Sequence, residues 1–298
     1  MSIPSGTIVV GVDGSESSTR ALDWAVEQAK AERRSLTLVH AVHGVTPSFT
    51  DAAVVDPVAA RTALEAQGRA VLAEARSAVE WKTPDLEVYD VLEVADPREA
   101  LLQLSEHAAM TVVGSRGRGR MRRLLLGSVS VALVRHAHCP VVVVRPTHVG
   151  TVRNGVVVGL DASEESRPVL EFAYREAALR DLPLTVVHCV WDIAPGSAGA
   201  YLAADVVSDL ESERVQLSEA MAGMGEKYPE VTATVRLAPG VPERMLLDQD
   251  ERTDLIVVGG HQRSPVRRAL SGSVSLSVVE HAACPVAVVP LAPAGVTP

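Results

Sequence analysis

The chain of 298 residues is long enough for two domains of ordinary size. Apolar residues make up 47% of it, which supports full hydrophobic cores and excludes an intrinsically disordered protein. The formal net charge of −9 argues against a general nucleic-acid-binding protein.

The first half of the chain alternates short apolar runs with helical patterns. Residues 7–12 predict a strand that ends at Asp13, and Ser17 or Ser18 is expected to cap the helix that follows. Further strands are predicted at residues 35–42, 86–94, 110–113 and 141–144, with helices at 58–80, 97–107 and 129–135 between them. Because strand and helix alternate throughout, we predict an α/β fold with a doubly wound parallel sheet.

The second half repeats the first. IVVGVD at residues 8–13 matches VVVGLD at 156–161, and LVHA at 38–41 matches VVHC at 186–189, both at an offset of 148 residues. GSVS recurs at 127–130 and 272–275, and HCPVV at 138–142 matches ACPVA at 283–287, both at an offset of 145. Four matches in the same order indicate an internal duplication. We predict one domain over residues 1–146 and a second over 147–298, joined by a short polar segment and packed together.

The most informative segment is residues 114–130, with the sequence GSRGRGRMRRLLLGSVS. Its glycines let the main chain approach a ligand closely, and successive N–H groups in such a loop hold phosphate oxygens. Gly127 and Ser128 lie where a helix is predicted to begin, so the positive end of the helix dipole adds to the attraction. Arginines at 116, 118 and 120 add charge. We predict an anion-binding loop, with a flexible, solvated connection as the alternative.

Asp13 is predicted to lie beside this loop if the first and fourth strands are neighbours in the sheet. A carboxylate there is unsuited to phosphate but accepts hydrogen bonds from an amine or a sugar hydroxyl. The alternative is that Asp13 only caps the helix after it. The pairing of a carboxylate with a phosphate-type loop in both halves favours a nucleoside polyphosphate site.

Competing motifs are missing from the sequence. No GxGxxG follows the first strand, and no GxxxxGK[ST] occurs, so neither a usual dinucleotide fold nor a P-loop enzyme is expected. His40 and His188 occupy matching positions in apolar runs and are predicted to be core residues. His136 and His138 lie near Cys139 without further ligands at metal-site spacing, so no zinc site is expected.

The three cysteines, Cys139, Cys189 and Cys284, form no CxxC pair and no plausible disulfide framework. Cys139 and Cys284 precede a proline and are expected to be buried. No signal segment opens the chain, and no apolar run is long enough to span a bilayer. We therefore expect a cytoplasmic protein that binds neither membrane nor nucleic acid.

The motifs resemble those of the universal stress protein family: GVDGS after the first strand, LVHAV at the second, and VVGSRGRG, LLGSVS and HAHCPVVVV towards the end of the first half. The resemblance covers both halves, so the chain is identified as a tandem two-domain member. It implies five-stranded, Rossmann-like domains of the adenine nucleotide alpha hydrolase-like type that bind ATP, with Mg²⁺ accompanying the phosphates. It also implies that the fifth strands of the two domains pair as an intramolecular pseudo-dimer, and a homodimer of whole chains is left open.

The resemblance also implies a set of binding residues. Asp13 would hold the adenine, the backbone of Ala41 and Val42 would flank the base, and the glycine motif would hold ribose and phosphates. The residues predicted for the first half are Gly11, Asp13, Ala41, Val42, Gly114, Ser115, Arg116, Gly117, Arg118, Gly119, Arg120, Gly127, Ser128, Val129 and Ser130. Those predicted for the second half are Gly159, Asp161, Asp192, Gly259, Gly260, His261, Gln262, Arg263, Gly272, Ser273, Val274 and Ser275.

The second half departs from the family pattern. Gln262 stands where the second glycine belongs and brings a Cβ atom into the loop. Pro265 removes one N–H group from the expected cradle. ATP binding by the second half is therefore left open.

The resemblance implies a nucleotide-dependent signalling or regulatory module in stress adaptation or growth arrest, acting through an unidentified protein partner. We expect no enzyme, because no positioned base or Walker-type lysine is visible. Two alternatives remain open. One is a slow ATPase or adenylyl-transferring enzyme with a second pocket near residues 43–57 or 191–204, and the other is a non-nucleotide interaction scaffold.

Overall fold

The computed structural model describes residues 3–42, 57–117, 126–146, 155–161, 163–190, 204–248, 253–260 and 271–291. The chain divides into two compact units, Met1–Pro146 and Thr147–Pro298, called unit 1 and unit 2 below. Each unit repeats the same succession of strands and helices.

Unit 1 contains a parallel sheet of five described strands in the order β3-β2-β1-β4-β5. This order confirms the predicted doubly wound α/β fold. The strands are β1 (Ile8–Gly11), β2 (Leu36–Ala41), β3 (Val88–Glu93), β4 (Met110–Gly114) and β5 (Val141–Val144). The helices are α1 (Glu16–Glu32), α2 (Pro57–Lys82), α3 (Pro97–Leu104) and α4 (Ser128–His136).

Unit 2 contains the equivalent parallel sheet, in the order β8-β7-β6-β9-β10. Its strands are β6 (Val156–Leu160), β7 (Leu184–Val190), β8 (Ala233–Pro239), β9 (Leu255–Gly260) and β10 (Val286–Pro290). Its helices are α5 (Arg167–Arg180), α6 (Ala204–Lys227), α7 (Pro242–Leu247) and α8 (Ser271–His281), and a short 3₁₀ turn, Glu164–Ser166, precedes α5.

The cores are built from aliphatic strands covered on both faces. Every residue of β5 is a buried valine, and β1 and β6 each begin with three buried apolar residues. Fully burying a Val or Leu side chain contributes about 1.5–3 kcal/mol, so continuous β-branched runs favour a central parallel strand over an exposed one.

The helix ends carry local signals that the sequence repeats. Asp96 caps α3 by accepting a 2.8 Å hydrogen bond from the Arg98 N–H, and Pro97 opens the helix as predicted. Arg33 and Asp181 close α1 and α5 in the left-handed conformation, with φ of 52° and 53°. These two residues lie at the 148-residue offset of the duplication.

No disulfide bond joins the three cysteines, all of which are described, and Cys139 and Cys284 are buried as predicted. Across the described residues, every helix is either too short or too polar to cross a lipid bilayer.

In each sheet, the first strand lies between the second and the fourth. In unit 1, β1 is flanked by β2 and β4, so the connections leave β1 towards opposite sides of the sheet. Such a topological switch point opens a crevice beyond the carboxyl ends of the strands, where ligands bind in open α/β sheets. The carboxyl ends of β1, β2 and β4 therefore lie at one edge of unit 1.

Candidate functional site

Asp13 and the start of the glycine loop lie next to each other in unit 1. The register pairs Val10 of β1 with Val112 of β4, which brings the ends of these strands together. A Cβ atom on Gly117 would lie 2.6 Å from Oδ2 of Asp13. The glycine at 117 therefore lets the loop approach the carboxylate.

The Asp13 carboxylate also organises the turn before α1. Its Oδ1 accepts a 2.9 Å hydrogen bond from the Ser15 N–H, and Gly14 has a φ of 74°. Ser15 is the N-cap, because its Oγ accepts a hydrogen bond from the Ser18 N–H. The prediction that Ser17 or Ser18 caps α1 is therefore wrong, since the chain turns into the helix one residue after Gly14.

Gly114 is required by packing inside the protein. A Cβ atom there would lie 2.5 Å from Oγ and 2.6 Å from the backbone oxygen of Ser17, in the first turn of α1. Distances this short require the backbone of α1 to move. Gly114 therefore lets α1 pack closely on the end of β4.

Gly127 has no such requirement. The nearest atoms to its Cβ position are 3.6 Å away, an ordinary contact distance, and its φ of −76° suits any residue. The fold alone thus leaves room for a side chain at the start of α4.

Several N–H groups of the predicted cradle already have partners within unit 1. The Ser115 N–H donates to the Val144 carbonyl at 3.0 Å, and the Gly127 N–H donates to the Ser115 carbonyl at 2.8 Å. The Arg116 N–H donates to Ser17 Oγ at 3.3 Å. These three N–H groups hold the loop against the sheet and α1. Their hydrogen bonds are therefore used within the protein and are not open to a ligand.

The first turn of α4 supplies the remaining donors. No side chain caps this helix, and no acceptor among the described residues pairs with the N–H groups of Ser128, Val129 or Ser130. The Ser130 hydroxyl instead donates to the Gly114 carbonyl at 2.9 Å, which fixes the helix start above the end of β4. The positive end of the helix dipole and its N–H groups suit an anion.

The end of β2 borders the same edge. Ala41 is half-buried, and the Val42 N–H donates to the Glu93 carbonyl of β3 at 2.7 Å. Gly11 at the end of β1 is packed by Leu101 and Val113, each 3.3 Å from its Cβ position. Arg118, Gly119 and Arg120 lie outside the described residues.

In unit 2, the carboxylate at the matching position accepts hydrogen bonds from two serine hydroxyls. Asp161 is exposed, and its Oδ1 accepts hydrogen bonds from the Ser163 N–H at 3.1 Å, the Ser163 hydroxyl at 2.6 Å and the Ser166 hydroxyl at 2.5 Å. The helix behind it begins with a 3₁₀ turn. Pro168 explains this start, because proline lacks the N–H that would extend α5 by another turn.

The second glycine motif is also placed differently. A Cβ atom on Gly259 would lie 3.3 Å from the Leu291 side chain and would meet no backbone, and one on Gly159 would lie 2.9 Å from Leu246. Gly272, Ser273 and Val274 lie inside α8, which begins at Ser271, whereas Gly127 precedes α4. The Ser275 hydroxyl keeps the contact of Ser130, donating to the Gly259 carbonyl at 2.7 Å.

Other predicted positions of unit 2 fall at the edge of, or beyond, the described part. Gly260 ends β9, and its carbonyl accepts a 3.2 Å hydrogen bond from the Leu291 N–H. Cys189 occupies the position of Ala41, and burial, with a smaller contribution from Glu243, raises the pKa of its thiol to about 11. The remaining positions, Asp192, His261, Gln262 and Arg263, lie outside the described residues.

Comparison with protein families places both units in one family. The model for the universal stress protein family matches residues 5–145 and 153–290. The chain belongs to the universal stress protein family. The predicted tandem organisation is thereby confirmed, because the family model matches twice.

Full-length relatives support the assignment. A universal stress protein of Mycolicibacterium smegmatis is 33% identical over 294 residues, covering 95% of this chain and 96% of the relative. One from Mycobacterium tuberculosis is 33% identical over 296 residues, covering 94% and 96%. The crystal structure of a universal stress protein from Archaeoglobus fulgidus has a TM-score of 0.71 at 21% identity and covers 97% of both chains, which shows a shared fold.

Two contributors to this edge of the sheet were not predicted from the sequence. Ser17 binds the loop across 99 residues of chain, which no local pattern reveals. His40 was interpreted as a core residue, and it is buried, but its ring also contacts the backbone beside Asp13. The recurrence of this histidine as His188 in the second half is the sequence feature that could have indicated a shared role.

Proposed function

We propose that unit 1 is an ATP-binding module of a nucleotide-dependent stress-response protein. The observation that supports this most is the uncapped start of α4 at the switch point of the sheet: Gly127 before it lies close to Gly117, which in turn approaches the Asp13 carboxylate. An anion-binding helix start next to a group that accepts hydrogen bonds suits a nucleotide, which has phosphates at one end and sugar and base donors at the other.

In this proposal different residues of unit 1 bind different parts of the nucleotide. The N–H groups of Ser128, Val129 and Ser130 bind phosphate oxygens. Asp13 accepts hydrogen bonds from the nucleoside, and the backbone of Ala41 and Val42 flanks the base. The proposal assigns Ser115 and Gly114 to holding the loop, because their own groups are used within the fold.

Mg²⁺ would accompany the phosphates. The described residues contain no group of three or more His, Cys, Asp or Glu side chains arranged to hold a metal ion. A hard cation that keeps several waters and is bound through phosphate oxygens fits such a site without a dedicated protein cage.

The role we propose is binding and signalling in the cytoplasm, without rapid turnover. Occupation by ATP would change the surface around α4 that the protein offers to a partner. Membership in the universal stress protein family supports the stress-response role.

Unit 2 is proposed to bind ATP more weakly than unit 1. Its carboxylate already accepts hydrogen bonds from two serine hydroxyls, and Gly272, the counterpart of Gly127, lies within a helix. Gln262 also replaces a loop glycine, as the sequence shows.

The proposal is tested by titrating nucleotide-free protein with ATP, in the presence and absence of Mg²⁺, by calorimetry. Binding by the wild-type chain and its loss in Gly127→Asp are expected. Hydrolysis is followed in the same samples, and fast turnover would identify an enzyme. A chain that remains empty at millimolar ATP contradicts the proposal.

A further inference from the structure

His40 and His188 make the same backbone contact in the two units. Nδ1 of His40, a buried residue of β2, lies 2.6 Å from the Val12 carbonyl oxygen. Nδ1 of His188 on β7 lies 2.8 Å from the Leu160 carbonyl oxygen. Because a carbonyl oxygen only accepts hydrogen bonds, Nδ1 carries a proton in both rings. Each ring therefore holds the carbonyl of the residue directly before the site aspartate.

The direction of the backbone amides in β2 follows from its hydrogen bonds. The N–H groups of Leu36 and Val42 donate to carbonyls at the two ends of β3, at 2.9 and 2.7 Å. N–H groups alternate between the two neighbouring strands along a parallel strand, so the Ala41 N–H points towards β1. The Val12 N–H donates to the Val39 carbonyl at 2.9 Å. The next bond of this ladder would therefore join the Ala41 N–H to the Val12 carbonyl.

That next bond is missing between these described residues. The pairing of β1 with β2 ends at Gly11 and Val39, and the Val12 carbonyl has the His40 ring as its donor instead. A buried carbonyl left without a donor is destabilising, so the hydrogen bond from the imidazole compensates for the missing ladder bond. The Ala41 N–H is left as a half-buried donor at the edge that carries Asp13.

Unit 2 differs by one pair of residues. The pairing of β6 with β7 continues to Leu160 and His188, which directs the Cys189 N–H at the Leu160 carbonyl within the ladder. A carbonyl oxygen has two lone pairs, so it accepts from the ring as well. In unit 2 the Leu160 carbonyl accepts both a ladder hydrogen bond and one from the histidine ring. In unit 1 the hydrogen bond from the ring replaces the ladder bond to the Val12 carbonyl.

We propose that His40 is a positioning residue for the nucleotide: by satisfying the Val12 carbonyl, it keeps the Ala41 N–H available to donate to a ring nitrogen of the adenine base. The inference rests on the proposed binding of ATP by unit 1. Without the ring, the Val12 carbonyl recruits the Ala41 N–H, the ladder closes by one bond, and the base loses its donor. The donor at the equivalent place in unit 2 is already used.

The first test needs no ligand and measures amide hydrogen exchange by nuclear magnetic resonance on the full chain. In the wild type, the Ala41 N–H is expected to exchange at least about tenfold faster than those of Val42 and Cys189, because it lacks a backbone acceptor. His40→Leu is expected to slow Ala41 exchange about tenfold. His40→Asn keeps a donor at the position of Nδ1 and is expected to match the wild type. Equal protection of Ala41 in all three proteins would overturn the role of His40.

The second test compares ATP with its 1-deaza, 3-deaza and 7-deaza analogues, each of which lacks one ring nitrogen. In the wild type, one analogue is expected to bind about tenfold more weakly than ATP, because one hydrogen bond is lost. In His40→Leu, the affinity for ATP is expected to fall about tenfold, and the affected analogue is expected to bind no more weakly than ATP does. In His40→Asn, the affinity for ATP is expected to stay within about threefold of the wild type. Thermal melting of each variant verifies that it folds.

His188→Leu is the matched control, because Leu160 keeps its ladder bond without the ring. Its affinity for ATP is expected to stay within about twofold of the wild type. A deaza penalty that persists unchanged in His40→Leu would overturn the inference while leaving ATP binding intact. A wild-type chain that binds no ATP would overturn the proposed function and this inference together, and the exchange measurement would still report whether His40 controls the Ala41 amide.

Discussion

Units 1 and 2 retain the same core but differ where strands meet helices. Both carry the buried histidine of the second strand and the serine that ties the fourth helix to the fourth strand. They differ at the carboxylate, at the first turn of the following helix and at the start of the fourth helix. Duplication has thus preserved the contacts that maintain the sheet, and the edge that would bind a ligand has changed.

The start of the first helix illustrates how such a difference arises. In unit 1 the chain passes from Asp13 through Gly14 to a capped helix, and Ser17 is free to bind the loop. In unit 2 Glu165 stands at the position of Ser17, and Pro168 shortens the helix. A few substitutions in one turn therefore change the residue at the position of Ser17 and the start of the helix, while the buried strands are kept.

The largest expected effect follows from placing a negative charge at the start of α4. Gly127→Asp fits the fold, because the Cβ position has ordinary contacts and the backbone angles suit an N-cap. The carboxylate would cap the helix and repel phosphate, so we expect ATP to bind at least about a hundredfold more weakly and the free energy of unfolding to rise by about 0.5 kcal/mol. Calorimetry and urea denaturation measure the two changes.

The matched variant is Gly272→Asp, which places the same charge in the first turn of α8. ATP binding is expected to change by no more than about twofold if unit 1 holds the nucleotide. The reverse result, with binding lost in Gly272→Asp and kept in Gly127→Asp, would assign the site to unit 2.

The next effect concerns stability. Gly114→Ala brings a Cβ atom within 2.6 Å of the Ser17 backbone oxygen, whereas Gly259→Ala meets only side chains at 3.3 Å or more. We expect the first to lower the free energy of unfolding by about 2 kcal/mol and the second by less than about 1 kcal/mol, because overpacking against backbone cannot relax. Equal losses of unfolding free energy in urea denaturation would show that the two glycines are equally required by packing.

A smaller effect is expected from neutralising the carboxylates. Asp13→Asn keeps an oxygen for the Ser15 N–H but removes the charge, so we expect ATP to bind about tenfold more weakly with the stability nearly unchanged. Asp161→Asn is the control and is expected to leave ATP affinity within about twofold. Calorimetry on both variants decides, and an unchanged affinity in Asp13→Asn would remove this residue from the site.

The smallest effect is common to both units and appears at high pH. Burial raises the pKa of the Cys139 thiol from its ordinary value of 9.0 to about 11, and that of Cys189 to about the same value. Because each folded pKa lies above the unfolded one, this stability is complete below pH 9 and is lost as the pH rises towards 11. We expect the buried Cys139 thiol to account for a loss on the order of 1 kcal/mol by pH 10, and the half-buried Cys189 thiol to account for less, because solvent screens it.

Urea denaturation at pH 8 and pH 10 tests this loss, with Cys139→Ala and Cys189→Ala as the comparison. Each variant should lose less stability between the two pH values than the wild type. Identical pH profiles for all three proteins would show that neither thiol ionises on unfolding in this range.

Much of the fold could be predicted from the sequence because its signals are local. Strands at 35–42 and 141–144 were predicted from apolar runs, and the helix at Pro97 from its capping pattern, and the structure confirms them. The duplication was visible for the same reason, since each matched motif is a short continuous segment.

The site could be predicted only in part, because its contacts join distant segments. The sequence assigned Gly114 to ligand binding, whereas its neighbour is Ser17 of a different element. The motif predicts that the backbone N–H groups of the glycine loop bind phosphate, yet the Arg116 N–H donates to the hydroxyl of that same serine. Which backbone N–H groups remain available to a ligand depends on hydrogen bonds between distant segments at the sheet edge. Hydrophobic periodicity in the sequence does not indicate those bonds.

The most direct measurement is the number of ATP molecules bound per chain, by native mass spectrometry of the wild type, Gly127→Asp and Gly272→Asp. One tightly bound ATP is expected in the wild type and in Gly272→Asp, and none in Gly127→Asp. No ATP in the wild type, or an ATP that survives in Gly127→Asp and disappears in Gly272→Asp, would contradict binding by unit 1.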